Sequence, residues 1–172
     1  MHRIGPEEFP QVLRIMGEAF PAAETRDDAG QRALLGRPDY AVYAAGEARV
    51  LGFLAVWRLP DFDFIEHFAV DAAVRGRGLG GAMLDELLAQ GGRRAVLEAE
   101  PPESELARRR VGFYRRHGFS VNPYPYVQPP LRGEKMGVPL LVLSTGGALT
   151  EAEFGRCRAQ LLRTVYGAPA RP

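Results

Sequence analysis

Phe64-Ile65-Glu66-His67-Phe68-Ala69-Val70-Asp71-Ala72-Ala73-Val74-Arg75-Gly76-Arg77-Gly78-Leu79-Gly80-Gly81 leads into Ala82-Met83-Leu84-Asp85-Glu86-Leu87-Leu88. The run from Phe64 to Val70 reads as a buried strand, Asp71 to Val74 as a turn, and the residues after Gly78 as a helix. Leu79, Met83, Leu84, Leu87 and Leu88 fall on one face of that helix, and Asp85, Glu86 and Gln90 on the other. A strand, a tight glycine turn and a helix N-terminus make a phosphate cradle. Glycines let backbone N–H groups approach an anion, the first helical turn leaves donors unpaired, and its dipole favours negative charge. Arg75 and Arg77 add positive charge. The P-loop pattern fails, because no Lys lies near. The dinucleotide pattern G-x-G-x-x-G is formally met by Gly76, Gly78 and Gly81, with Glu98 and Glu100 roughly 20 residues on. That pattern normally opens the first strand-helix unit of a sheet, whereas here it stands at mid-chain after two antiparallel-looking strands.

Downstream, Gly91-Gly92 ends the helix and Ala95 to Ala99 forms another strand, closed by Pro101-Pro102. Ser104 is an N-cap for a helix reaching His117, with Gly118 at its C-terminal cap and Phe119 just beyond. Upstream, a helix is expected from about Pro6, with Phe9, Val12, Leu13, Met16 and Phe20 on one face, and a second over Asp27 to Leu35. Tyr40 to Ala45 and Arg49 to Trp57 read as strands joined by a hairpin loop at Gly46-Glu47-Ala48. Asn122 to Pro139 holds five prolines, including Pro123 and Pro125, and two tyrosines. It reads as a long loop, and such loops are commonly substrate walls or lids. Leu140 to Ser144 is a short strand. Thr150-x-x-Glu153 is a capping box opening a final helix through about Tyr166, followed by a frayed tail from Ala168.

Two motifs in this order resemble the GCN5-related N-acetyltransferase (GNAT) family. Arg75-x-x-Gly78-x-Gly80, directly after Phe68-Ala69-Val70-Asp71, is similar to that family's acetyl-CoA signature. About 35 residues further on, Phe113-Tyr114-Arg115-Arg116-His117-Gly118-Phe119 looks like its aromatic-tyrosine, three residues, glycine-phenylalanine motif. Together they span Phe64 to Phe119. The resemblance implies an α/β fold: a mixed, mostly antiparallel six- to seven-stranded sheet with a central splay, flanked by helices. The strand ending at Val70 and the strand at Ala95–Ala99 would splay apart. Acetyl-CoA, as co-substrate, would lay its pantetheine arm against the backbone of Phe68, Ala69 and Val70. Its pyrophosphate would rest on the N–H groups of Arg75, Gly76, Arg77, Gly78, Leu79, Gly80 and Gly81. The sequence departs from the family at Ala107 and Arg110, where many members carry Asn and Ala, so the asparagine contact with the cofactor that the resemblance would imply is absent.

The resemblance places Tyr114 beside the thioester sulfur. Its phenol is protonated at neutral pH, so it is the general-acid candidate, with aromatic packing or pantetheine contact as the structural alternative. Glu66 is the base candidate. Strand alternation sets Phe64, Glu66, Phe68 and Val70 on one face, where apolar neighbours would strip the carboxylate of water, and His67 on the other; a salt-bridged Glu66 is the alternative. Glu98 and Glu100 share one face of the next strand with Arg94. They are candidates to hold a substrate cation or relay its proton. Tyr124 and Tyr126 are candidate walls of the acceptor site. His117, in the last turn of its helix, favours the helix dipole, and Arg108-Arg109-Arg110 reads mainly as a solvated face.

The chain has 172 residues, a length expected for one domain, with 46% apolar and 25% charged residues. Twenty-two basic against 21 acidic residues leave a net charge of +1, so no overall field favours nucleic acid or an anionic membrane. The single cysteine, Cys157, can form no internal disulfide and no zinc site alone. The N-terminus lacks the apolar core of a signal peptide, and the longest uncharged run, Met136 to Thr150, is too short to span a bilayer. A cytoplasmic protein is expected, with no metal. The acceptor would be a small-molecule amine or a peptide amine; the resemblance allows a homodimer. Two other readings share the glycine loop: a catalytically silent acyl-CoA-binding module and a nucleotide-dependent oxidoreductase. No strongly acidic cleft is legible.

Overall fold

The computed structural model describes residues 1–131 and 136–168. Seven strands form one sheet in the order β1-β2-β3-β4-β5-β9-β6: β1 (His2–Arg3), β2 (Tyr40–Ala45), β3 (Gly52–Arg58), β4 (Asp63–Val70), β5 (Ala95–Ala99), β9 (Leu141–Thr145) and β6 (Phe119–Val121). Every neighbouring pair is antiparallel except β4 and β5. A separate two-stranded ribbon pairs β7 (Val127–Gln128) with β8 (Val138–Pro139).

The helices cover both faces. α1 (Phe9–Ala19), α2 (Asp28–Leu34) and α5 (Glu151–Gln160) pack over one, burying Phe9, Val12, Ile15, Leu34 and Phe154 with Phe53, Ala55, Trp57 and Phe64 of the sheet. α3 (Leu79–Gly91) and α4 (Glu105–Arg116) cover the other, where Met83, Leu84 and Tyr114 meet Leu54, Ile65 and Leu97. With both faces covered, β3 is buried at every position but Arg58, as expected of a continuous apolar run. The caps read from the sequence form. The Ser104 hydroxyl accepts from the Ala107 N–H at 3.0 Å, and Thr150 and Glu153 close a reciprocal capping box. The final helix turns into a single π-helical turn at Leu161–Val165, which delivers Tyr166 to the sheet.

Two local expectations change. The Gly46 turn is longer than three residues, because the Val50 N–H is taken by the Gln11 side chain at 2.9 Å, so β3 starts at Gly52. Gly118, at φ +84°, ends α4 as expected, and Phe119 just beyond it opens strand β6 at the sheet edge. The segment from Asn122 to Pro139 is partly ordered by the β7–β8 ribbon; its residues 132–135 lie outside the described ones. Asn122 is a core residue, 1% exposed. Its Nδ2 donates to the Val142 carbonyl at 3.0 Å and to the Ser144 hydroxyl at 3.2 Å, and its Oδ1 accepts from the Leu149 N–H at 2.6 Å.

Asn122→Ala would strand the buried Leu149 N–H. A loss of about 2–3 kcal/mol is expected, since an unpaired buried donor loses its full hydration. Urea unfolding should show a lower midpoint at unchanged m-value.

Candidate functional site

β4 and β5 pair only at Asp63–Ala95, Phe64–Val96 and Ile65–Leu97. Beyond Ile65 they part, and His67 to Val70 of β4 keep ladder partners on the β3 side alone. β5 meanwhile stays with β9 as far as Ala99. The wedge between them is the central splay, and its strand edges carry backbone groups open to a ligand.

β4 also contains a bulge. Ala55 faces His67 while the next residue of β3, Val56, faces Ile65, so Glu66 is the extra residue. The bulge resets the alternation. Phe64 packs among the α1-side residues, whereas Phe68 packs on the α3–α4 side. The expected single face of Phe64, Glu66, Phe68 and Val70 therefore does not form. Nor do Glu66 and His67 point apart, since His67 Nδ1 lies 3.8 Å from Glu66 Oε2. The Glu66 carboxylate is held at both oxygens: Arg26 donates to Oε1 at 2.5 Å and the Trp57 indole to Oε2 at 2.9 Å. It is the salt-bridged alternative.

The glycine turn is built as a cradle. Gly76 and Gly78 have φ of +78° and +83°, a left-handed conformation that costs any residue with a Cβ roughly 1–2 kcal/mol. Gly78 caps α3 with no side-chain bond to the first-turn N–H groups. Open space lies where a Cβ of Gly76 or Gly78 would stand. Gly80 is close-packed, its absent Cβ 3.4 Å from Phe68 and Val70. A groove of about 1060 Å³ runs from the splay at Phe68, Ala69 and Val70 along Arg75, Gly76 and Gly78 to Gly81, and on to α4. Leu79 and Tyr114 line it; Arg77 does not. Arg108, Arg109, Arg110 and Arg116 also line it, so the α4 arginines are more than a solvated face. Arg75 is less free than expected, because its Nε donates to the Val70 carbonyl at 2.9 Å. The groove fits acetyl-CoA: a free strand edge for an amide-bearing arm, an uncapped helix start for a pyrophosphate, and arginines for the remaining phosphate.

A second cavity, of about 420 Å³, lies across the splay. Phe68, Ala69, Val70, Arg75, Leu106, Arg110 and Tyr114 line both cavities, so the two meet along a seam between the β4 edge and α4 that includes Tyr114. Tyr114 is 8% exposed, and its hydroxyl has no hydrogen-bond partner among the described residues. Burial pushes its phenol up to about 12, and Arg110 opposes the shift. Glu98 sits in the wall of the second cavity. The Tyr166 hydroxyl donates to its Oε2 at 2.6 Å, while the buried Oε1 has no formed hydrogen bond. Burial pushes Glu98 up to about 7; the hydroxyls of Tyr126 and Tyr166 favour its charged form, and Glu66 and Glu24 disfavour it. The Tyr126 hydroxyl is thus near the carboxylate without completing a bond to it.

Glu66, Glu98, Glu100, Tyr114, Phe68, Ala69 and Val70 are therefore brought together around one cavity. Glu100 pairs with Arg110 at 2.8 Å; Arg94 turns away to Glu153 at 3.4 Å. Tyr124 lies elsewhere: its ring stacks on Phe154, and its hydroxyl donates to the Leu149 carbonyl at 3.3 Å. Tyr126 is a core residue behind Glu98. His117 pairs with Asp85 at 2.5 Å. Glu18, Glu24 and Tyr166 complete the wall with Gln128, and no motif in the sequence marks them. The expectation of no acidic cleft is corrected, since five glutamates line this one.

Residues 38–121 match the family model described as an acetyltransferase (GNAT) domain. Those residues carry a GNAT acetyltransferase domain, and the match supports an acetyl-CoA-dependent N-acetyltransferase. A Bacteroides thetaiotaomicron protein assigned to that family superposes with a TM-score of 0.89 at 29% identity, over 97% of this chain and 98% of the other. The ribosomal-protein-S18-alanine N-acetyltransferase of Escherichia coli shares the fold at a TM-score of 0.60 and 17% identity, over 87% of this chain and 94% of that one. NAA60 of Arabidopsis thaliana, solved with a bisubstrate analogue, does so at 0.65 and 13%, over 84% and 96%. No curated protein matches the sequence. Among the described residues no helix is long and apolar enough to cross a membrane.

Glu98 makes stability depend on pH. Its carboxyl is raised in the fold, so as pH climbs above 4.5 the unfolded chain ionises first and the fold loses stability until about pH 7. Glu98→Gln should therefore raise the melting temperature at pH 8, by a stabilisation of up to about 3 kcal/mol. The gain should vanish near pH 4, and equal melting temperatures at both pH values would show that Glu98 ionises normally.

Proposed function

We propose that this chain acetylates a primary amine by direct attack on acetyl-CoA, with Glu98 as the base and Tyr114 as the donor to the departing sulfur. The observation that carries this reading is the meeting of the two cavities along a seam that includes Tyr114, with a carboxylate near pH 7 in the acceptor-side wall. An ammonium has no lone pair, so the acceptor must lose a proton before it attacks. At neutral pH a large share of Glu98 is ionised and can take that proton, directly or through one water. The amine nitrogen bonds to the thioester carbonyl carbon, the carbon–sulfur bond breaks, and the electron pair leaves on sulfur. Glu66 is reassigned from base to anchor, since Arg26 and Trp57 already occupy both its oxygens.

Tyr114 with a pKa near 12 is a weak acid beside a thiol of ordinary pKa about 8.5, so complete transfer of its proton is uphill. Its contribution is a hydrogen bond to the developing thiolate, worth about 1.5–3 kcal/mol. Tyr166 is a positioning residue that fixes the Glu98 carboxylate through Oε2 and leaves Oε1 for the acceptor. In the groove, the Gly76–Gly81 turn and the α3 N-terminus would take the pyrophosphate, and the Phe68–Val70 edge the pantetheine arm.

A screen of amines with acetyl-CoA, read by thiol release, tests the activity; tight CoA binding without release from any amine would mark a silent binding module instead. For wild type, kcat/KM should rise through about pH 7 as Glu98 ionises. Glu98→Gln should lose that rise and about 10²–10⁴-fold in rate. Tyr114→Phe should cost about 10- to 100-fold in kcat with acetyl-CoA affinity nearly intact and no new break below pH 10. Full kcat in Tyr114→Phe would make the tyrosine a packing residue.

Gly78→Asp puts a negative charge into the cradle and a Cβ at φ +83°. CoA affinity should fall at least about tenfold, or 1.4 kcal/mol, in a protein whose circular dichroism is unchanged. Unaltered affinity would remove the glycine turn from the cofactor site.

A further inference from the structure

We propose that the acceptor carries two cationic nitrogens, and that the acceptor cavity binds the one that does not react between Glu24 and Glu100 while the reacting one faces Glu98. The inference rests on the acetyl-transfer reading above and names the class of its acceptor.

The charges lining the cavity do not cancel. Three of its five glutamates have cationic partners: Glu66 has Arg26, Glu18 has Arg14 at 2.9 Å, and Glu100 has Arg110. Glu98 has only hydroxyl neighbours, and the half-buried carboxylate of Glu24 has no hydrogen-bond partner among the described residues. Burial raises the Glu24 carboxyl above its usual range, Glu100 raises it further and Arg110 opposes the shift, so Glu24 lies within reach of both members of the Glu100–Arg110 pair. Glu24 in turn raises Glu98.

An independent sign comes from His67, which is 3% exposed and lines the same cavity. Its Nε2 lies 3.1 Å from the Glu24 carbonyl. A carbonyl only accepts, so Nε2 carries the hydrogen and Nδ1 is a bare lone pair. That lone pair is buried without a partner. Burial holds the ring neutral, so it does not protonate itself. Glu98 Oε1 is a second orphaned acceptor. The arginines in the wall, by contrast, are engaged: Arg75 on the Val70 carbonyl and Arg110 on Glu100. The cavity wall thus holds two buried acceptors without a donor, and its arginines are engaged, which favours a ligand made of N–H donors and positive charge.

Chemistry then requires a second nitrogen. The reacting nitrogen must be uncharged when it attacks, so it cannot match the cavity's negative charge in the reactive complex. A nitrogen elsewhere on the same molecule keeps its proton throughout and can. An acceptor bearing a carboxylate would instead meet Glu24 and Glu100, with the arginines of the wall, Arg75 and Arg110, already engaged.

The test uses the full chain and α,ω-diaminoalkanes of three to six carbons. Monoamines and ω-amino acids of equal length are the comparisons. Binding is read by calorimetry with CoA present, and turnover separately by thiol release from acetyl-CoA. The best diamine should bind at least about tenfold tighter than its monoamine. Glu24→Gln should reduce that ratio to about threefold or less with CoA affinity unchanged, and Glu24→Asp should restore part of it. Equal binding of mono- and diamines, tighter binding of amino acids, or a ratio that survives Glu24→Gln would overturn the proposal. Diamine selectivity in binding with no thiol release from any amine would support the cavity assignment and sink the transferase reading. Thiol release from monoamines at the diamine kcat/KM would do the reverse.

Discussion

The parallel contact between β4 and β5 lasts three residues and then ends, and the site is a consequence of that short contact. Parallel strands need a crossover; here it is α3, which leaves the end of β4 through the glycine turn and returns at Arg93-Arg94. The Asp63 N–H donates to the Arg94 carbonyl at 2.9 Å, which holds the two strands together at one end. At the other end β5 is drawn to β9 and β4 to β3, and neither closes the gap. Both cavities open from that gap, one toward α3 and α4, the other toward α1 and Tyr166. The cradle lies at the end of β4 because the crossover starts there.

The bulge at Glu66 governs the acceptor side. It turns Glu66 and His67 toward the same helices, where Arg26 receives the carboxylate. Arg26 also donates to the Val165 carbonyl at 2.6 Å, in the π-helical turn that ends beside Tyr166. One guanidinium thus ties the bulge of β4 to the segment that orients Glu98. A pair this buried contributes little net stability, because desolvation offsets its attraction, but losing one partner leaves an uncompensated charge inside. Its role here is positional. Arg26 and Trp57 thus occupy both oxygens of Glu66, whereas Glu98 has a formed hydrogen bond at Oε2 alone and is pushed up to about 7 by burial.

The cofactor side was legible in the sequence because backbone constraint determines residue type. Gly76 and Gly78 stand where φ is positive, Gly80 where a Cβ would crowd Phe68 and Val70, and Ser104 and Gly118 at the ends of α4. The acceptor side was not legible, for a different reason in each case. The bulge carries no glycine or proline, so period-two alternation runs through Glu66 unbroken; it keeps Glu66 with Phe64 but puts His67 on the opposite face and Phe68 on the same one, where the structure does the reverse. Glu24 and Tyr166 come from segments more than 30 residues away on either side, and only the closed fold brings them to Glu98. Tyr124 and Tyr126 looked like rigid walls in a proline-rich loop. The demand to bury their rings against Phe154 and behind Glu98 draws them into the core.

The balanced charge of the chain conceals a separation of charge at the site. Five arginines and one glutamate, Glu105, line the groove, while five glutamates and two arginines, Arg75 and Arg110, line the cavity beside it. A polyanionic carrier and a cationic acceptor attract one another, and an amine held against phosphates would be kept from the thioester. Dividing the signs between two cavities opposes that mispairing, because each partner meets repulsion in the other's place. Arg110 stands on the boundary. It lines both cavities, one helical turn before Tyr114, at a position where the family commonly has a small residue. Its pair with Glu100 spans from α4 to the end of β5, so the boundary is a closed ion pair beside the seam where the two cavities join. Tyr114 lines both cavities there, and in the proposed reaction its uncharged hydroxyl favours neither side until charge develops on sulfur.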